Sequence, residues 1–575
     1  MEIQSALEVS ELAELHKESC VVHHVELEVL GFAGRFLLPV PEEMTGRELR
    51  RLLGERCLPQ GGAAMSVLLR SEKVELNKTL KEQGLLAGTR AQVCYAYRPV
   101  QFLQAWRFLQ GFQVEDEEFA LEGLLHLEDV HGMLQVKNLP CNLQSLIFSP
   151  DFAEPLEEVS LPKSLVSLTF GSTFNQSLEG VSLPKSLRSL SFGNAFNQSL
   201  ERVTLPEGLE SLAFGNEFKK GHWDSFTLPK GLKSLTAGAR FNRPLEEISW
   251  PSSLENLTLG TTFNQDVRGA IFPNNLRGLT FGIRFNRSLA GVAWPETLES
   301  LTLGKGFDQS LEEVTFPSRL QNLIFGTSFN QSLERVTLPS NLRSLAFDYD
   351  FNQSLEGVNL PSKLQSIVLG RRFTDSFGKV MLPKSLLSLT LAGNFNEKLR
   401  DLTLPRTLQS LTFEWGSNWS LEGTAWPSCL QSLTLGSSFN QSLESMKLPE
   451  SLRSLSLGPS FNSPLESSSL PKNLRSLCFG YAFNQRLEGV LWPDDLESLT
   501  FGNNFNQSLD GVLLPSGLRC LSFGAAFRQS LEQVALPSGL ERLTLSAKTE
   551  VGNLQLPQSL LKFECGPVRL SAAPI

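Results

Sequence analysis

The chain is 575 residues long, 41% hydrophobic and 19% charged, with a formal net charge of -10. That composition excludes a disordered chain, and the mild negative charge gives no drive toward nucleic acid or anionic lipid, which favour basic patches. No apolar run reaches the ~18 residues of a membrane helix, and the acidic stretch from Met1 to Cys20 lacks the apolar core of a secretory signal. There are 39 Phe against 4 Tyr, the balance of a dry interior with no hydroxyls to satisfy. Eight scattered cysteines form no CxxC pair and mostly have apolar neighbours, so buried free thiols in a reducing compartment are expected. These signals place the protein in the cytoplasm, with the nucleus as the other choice, and not among secreted chains.

Residues 1–20 read as a leader, and residues 21–98 as a small α+β domain. Val25-x-Leu27-x-Val29 alternates as a strand, Gly31 to Gly34 turns, and Arg35 to Val40 returns as a second strand. Thr45 is a candidate N-cap for a helix from Gly46 to Cys57, whose apolar face is Leu49, Leu52 and Leu53. Met65 to Arg70 and Gln92 to Tyr97 complete a ββαββ order. That order, with the stretch Thr79-Leu80-x-x-x-Gly84-Leu85-x-x-Gly88, resembles the ubiquitin-like β-grasp family. The resemblance implies a docking surface with Leu68 on its apolar patch, and a link to ubiquitin-system proteins. The chain runs past Arg98 without a Gly-Gly end, so a conjugated modifier is not expected. A neighbouring linker covering Leu68 is the plainer alternative.

Residues 99–138 carry Leu103-x-x-Trp106-x-Phe108-x-x-x-Phe112, which reads as a linker and a worn capping unit. From Pro140 to Pro557 a proline recurs twenty times at a step of 22, with one step of 23 and a last step of 20. Chance does not produce such a register, and it marks a repeat architecture over residues 139–563. One unit, Leu178 to Gln198, has two similar halves, Leu178-x-x-Val181-x-Leu183 and Leu187-x-x-Leu190-x-Phe192. Each half reads as a short strand, the first ended by Pro184 and the second by Gly193. An amphipathic helix is excluded, since a proline inside each would cost about 3 kcal/mol. A unit buries its Leu and Phe only by stacking on its neighbours. At a strand spacing of ~4.8 Å, twenty coils predict a rod or arc on the order of 95 Å long, capped at both ends, with residues 564–575 as a tail.

The unit Phe174-Asn175-Gln176-Ser177-Leu178, and above all Phe241-Asn242-Arg243-Pro244-Leu245, resembles the FNIP repeat family, a 22-residue relative of leucine-rich repeats. The resemblance implies a mainly β solenoid of parallel strands, and protein interaction as its use. It supplies no catalytic residues to carry over.

The Asn column, from Asn175 to Asn506, is expected to form a buried amide ladder, although Asn-Gln-Ser is also a glycosylation sequon. Variation of Leu161, Trp250, Phe272 and Trp294 before the proline suggests a partly open edge. A Ser/Thr lattice from Ser167 and Thr169 to Thr500 predicts a flat hydroxyl face. The row Glu179, Glu201, Glu246 and onward reads as solvated carboxylates, since neighbours ~4.8 Å apart in water repel by only about 1 kcal/mol. All six histidines lie at or before His222, and neither a P-loop nor a dinucleotide fingerprint is present. No cofactor, no metal, no membrane, no nucleic acid and no enzymatic activity are therefore expected. Against a uniform framework, one column runs Arg188, Glu210, Lys233, Glu255, Arg277, Glu299, and the pair after the turn glycine includes Arg240, Arg284, Arg371 and Arg372. Specificity for a protein partner would sit there, and free surface drift gives the same pattern. The expected function is a protein-binding scaffold or adapter. The alternative is a structural protein whose flat Ser/Thr face binds glycan or ice.

Overall fold

In a computed structural model the chain divides into two units, Met1–Leu127 and Glu128–Ile575. The residues described are the strands of the first 138 positions and then 141–565 and 568–571. Excepted from these are 158, 220, 222, 224–225, 375–379, 394–402, 415, 417–420, 466–469, 547–548 and 550–554.

The first unit holds a five-stranded sheet of β1 (His24–Gly31), β2 (Gly34–Pro41), β3 (Ala63–Leu69), β4 (Glu72–Lys73) and β5 (Arg90–Pro99) in the order β2-β1-β5-β3-β4. β1 pairs antiparallel with β2, down to Gly31 opposite Gly34, and parallel with β5. β3 lies antiparallel to both β4 and β5. The four expected strands are present, shifted by a residue or two, and the two-residue β4 is an addition. The expected helix at 46–57, the stretch from Thr79 to Gly88, and the side chain of Leu68 lie outside the described residues.

β6 (His126–Val130) spans the boundary at Glu128, and the second unit proceeds through β7 (Ser145–Phe148), β8 (Ser167–Thr169) and β9 (Ser189–Ser191). Strands of three or four residues continue to β25 (Arg542–Leu545), β26 (Lys562–Cys565) and β27 (Val568–Ser571). Of the nineteen steps between the strands β7 to β26, 17 are of 22 residues, matching the proline register. Neighbours pair parallel and in register, Ser167 with Ser189 and Leu168 with Leu190. Among the described residues helix is confined to short 3-10 turns, such as Leu245–Glu247.

The strand is short because alternation is all it needs. Leu168 is fully buried between half-buried Ser167 and Thr169. Leu165 and Leu168 anchor one side of the coil, and Phe170 stacks on Phe174 at 4.2 Å on the other. The amides of Arg188 and Ser189 both donate to the Val166 carbonyl, at 2.8 and 3.0 Å, and this fork repeats along the array.

Among the described residues only the second half of a unit is a strand; the first half is a turn and a run without a ladder. Val181 N–H donates to the Leu178 carbonyl within its own coil at 3.0 Å. The reason lies in the spacing. Strand-end phenylalanines such as Phe170, Phe192 and Phe214 stack coil to coil at 5.5 Å. The next column, Phe174, Phe196, Phe218, stacks at 6.0 to 6.2 Å. A strand ladder needs ~4.8 Å, so coils widen away from the strands, and the first half sits too far from its copies to bond them.

Widening makes the array bend, and the bend closes. The strand order runs β10 to β27, then β6, β7, β8 and β9, so the sheet returns on itself. The expected rod or arc with two capped ends is thus corrected to a ring. Closing 22 strands requires about 16° per strand, and a widening of ~1.2 Å across a layer ~4–5 Å deep supplies a tilt of that size.

The turn glycines sit where coils press closest. A Cβ on Gly282 would collide with the Gly260 carbonyl, whereas one on Gly269 meets open space. Gly282→Ala is expected to lower the denaturant midpoint strongly, and Gly269→Ala to leave it nearly unchanged. Phe285, fully buried, should cost about 3–5 kcal/mol as Phe285→Ala in the same urea titration.

Candidate interaction surface

The inner circumference is the strand layer, because the most closely spaced column of a closed ring has the smallest radius. At ~4.8 Å per strand the 22 strands set a radius of about 17 Å at the backbone. Side chains at the first and third strand positions face this opening. From Ser167 to Ser522 none of them is charged, and most are Ser or Thr. Further on charge appears, in Arg542, Lys562 and Glu564, the last two paired at 3.1 Å. The hydroxyl face is therefore concave rather than flat as expected.

Beside it runs the charged column. Arg188 and Lys233 flank Glu210 at 4.0 and 2.8 Å, Arg277 meets Glu299 at 2.8 Å, and Arg519 meets Glu541 at 2.7 Å. The hydrogen bond from Lys233 holds the Glu210 carboxyl below its ordinary range and raises the lysine in turn; Glu255 adds to the latter. These groups are solvent-exposed, so each pair contributes little stability. The column is also self-complementary from coil to coil, a reading that variation alone did not give. Of the second candidate set, Arg240 pairs with Glu217 at 2.8 Å and Arg372 with Asp350 at 3.1 Å. Arg371 and Arg372 both approach the Tyr349 ring, at 5.5 Å, and Arg284 is exposed.

Sequence reasoning missed a cavity of about 430 Å³ where the column reads Gln409, Gln431, Arg453, Arg475. Glu450, Asp495 and Cys429 also line it, and Arg475 pairs with Glu497 at 3.3 Å. Cys429 and Cys141 are free and exposed, and Cys478 and Cys520 half-buried, so the expectation of buried thiols is corrected for these four. No cluster of three or more metal-binding side chains occurs among the described residues.

The Asn column forms the expected ladder, but its members are half-buried or exposed, not buried. Asn175 Oδ1 accepts the Asn197 N–H at 2.8 Å and the Gln198 side-chain amide at 3.1 Å. Ser177 Oγ accepts the Glu179 N–H at 3.0 Å. Each position of Asn-Gln-Ser thus has a structural role. Only the oxygen of the Asn is required, and Asp308 takes the place of an Asn, accepting from Asn330 at 2.9 Å. The pre-proline edge is partly open as expected, with Trp250 and Trp294 half-buried. The acid row is exposed, and Arg202 meets Glu179 at 2.9 Å. No described helix is long and apolar enough to cross a membrane.

The FNIP Repeat profile matches residues 133–173, 174–217, 224–262, 263–306, 307–350, 351–392, 376–414, 418–460, 461–504 and 505–548. Among solved structures, CroV588, described as a novel circular LRR protein, is 36% identical with a TM-score of 0.58, over 77% of this chain and 69% of that one. An internalin, inlF from Listeria monocytogenes, is 16% identical with a TM-score of 0.37, over 58% of this chain and 94% of its own. A chain of the Drosophila Toll–Spatzle complex is 13% identical with a TM-score of 0.34, over 76% and 60%. No curated protein sequence matches.

The ladder makes a simple prediction. Asn484 Oδ1 accepts from Asn506 N–H at 2.9 Å and from Gln507 at 3.2 Å. Asn484→Asp should keep the melting temperature, as the Asp308 position already shows for the chemistry. Asn484→Leu should lose about 1 kcal/mol, measured by chemical denaturation.

Proposed function

This chain belongs to the FNIP repeat family, and on that premise we propose that it is a non-enzymatic protein-binding scaffold. The ring takes one protein partner, and the N-terminal unit docks a second. The observation that carries this reading is the closed ring itself, with an uncharged hydroxyl face bordered, from Arg188 to Glu299 and again from Arg475 to Glu541, by a column of alternating charge. Such a surface gives many neutral hydrogen-bonding groups at fixed spacing, and charges at one border that set the register of whatever lies against it. It offers no row of cations for a phosphate backbone.

The sheet order β2-β1-β5-β3-β4, with β1 and β5 parallel, supports the ubiquitin-like reading of the first unit. On that reading Leu68 is the docking residue and the partner belongs to the ubiquitin system. The site of action is the cytoplasm or the nucleus. The lattice-binding alternative loses ground to the geometry, because a face turning by about 16° per strand does not match a flat crystal or glycan array.

Affinity capture with the full chain tests the reading. Thr258→Lys, Thr280→Lys and Thr302→Lys together place three cations on the inner face, and should remove one set of captured proteins while circular dichroism stays unchanged. Leu68→Glu should remove a different set, enriched in ubiquitin-system proteins. Capture that ignores both variants, or saturable turnover of a substrate by the purified chain, would sink the proposal.

A further inference from the structure

We infer that the ring is a collar with one breakable joint, at β27, and that it opens there while its coils stay stacked. The inference concerns the ring alone and stands whatever the ring binds.

Three observations single out the run from β25 round to β7, of which β27 is the middle strand. The first is the sense of pairing. The strands from β7 to β26 pair parallel, but β27 lies antiparallel to β26, with Lys562 opposite Ser571 and Cys565 opposite Val568. It then abuts β6, which leads back to β7. A four-residue strand running the other way bridges the last coil and the first.

The second is the end of the aromatic columns. Phe505 stacks on Phe527 at 6.0 Å, and one step further the register position is Thr549. Thr549 and Ser546 place their hydroxyls on the Phe527 carbonyl, at 3.0 and 2.9 Å. The column is finished with hydrogen bonds instead of being handed on. At the other side it begins with Phe152, and the position one step earlier is Val130. The third is the amide ladder, whose last rung is the Arg528 N–H on Asn506 Oδ1 at 2.9 Å.

A regular coil interface therefore joins leucine columns, phenylalanine stacks, an amide ladder and a strand ladder. The joint has strand pairing without the phenylalanine stack or the amide rung. Separating coils between β8 and β24 breaks these stacks and exposes Leu and Phe to water, a cost that scales with apolar area; the joint lies beyond the ends of the phenylalanine stacks and the amide ladder, so opening it leaves them intact. Ser417 also falls in the phenylalanine register, but the flanking strands β18 (Ser388–Leu391) and β19 (Ser410–Phe413) pair over four parallel residues, and Leu389, Leu391 and Leu411 are buried. Because every coil keeps its own tilt, an opened ring stays curved with its ends close together. Opening then admits an occupant that could not be threaded through a closed circle.

Hydrogen exchange on the full-length protein reads this directly. Amides of Val568–Ser571 and His126–Val130 should exchange at least about 100-fold faster than those of the strands from β8 to β25. Equal protection would overturn the inference. A second test uses Arg569→Pro with Leu570→Pro, which removes one donor from each edge of β27, since successive amides point to opposite neighbours. X-ray scattering from the monomer should show a larger radius of gyration, with the same strand content by circular dichroism. An unchanged radius would overturn the inference. So would loss of the whole fold, because the joint would then not be separable from the coils.

Discussion

Two spacings govern this molecule. A backbone ladder holds strands at ~4.8 Å, while phenylalanine side chains of adjacent coils stack at 5.8 to 6.2 Å in the column that follows the turn glycine. One chain has to satisfy both in every coil. It does so by tilting each coil against the last, and a tilt repeated about twenty times with one sign becomes a ring. The position of the strands on the inner side, the absence of a ladder in the first half of each unit, and the glycine at the tightest contact all follow from that mismatch.

Where the coils cannot be joined by a strand ladder, other groups join them. Asn side chains accept backbone amides of the next coil near the outer phenylalanine. Ser and Thr hydroxyls after the proline do the same work, as when Ser186 Oγ donates to the Lys163 and Leu165 carbonyls at 2.7 Å. The charged column adds weak pairs between Arg or Lys and Glu. Each bond is small, but all are repeated, and together they fix the register that lets leucine meet leucine and phenylalanine meet phenylalanine. On the proposed reading, the uncharged inner face is what this register leaves for a protein partner.

Much of this was legible in the sequence. The 22-residue proline step, the buried Leu and Phe, the turn glycines and the amide ladder each recur with every unit, because every coil solves the same packing problem. The pairing strands of the first unit were legible from alternation. What misled was local pattern without distance. Val181-x-Leu183 alternates like a strand, yet its neighbours are too far away to pair. A hydroxyl lattice reads as flat when only spacing along the chain is known. The sequence of signs from Arg188 to Glu299 was visible and was read as variation, although opposite charges one coil apart point as well to pairing. Closure was out of reach, because it is a sum of small tilts that no single residue declares. The cavity beside Arg453 was hidden for a similar reason: its lining comes from several coils, from Gln409 to Asp495, and no one coil declares it.

Repeat genes gain and lose units by unequal recombination, and an open array tolerates this because a new coil merely lengthens it. A ring does not have that freedom. One added unit of about 22 residues would have to be absorbed as roughly 5% less curvature at every interface, or as a gap at the meeting point of its ends. Copy number in this protein is consequently a geometric quantity, and inheritance is expected to vary the residues within its coils far more readily than the number of coils.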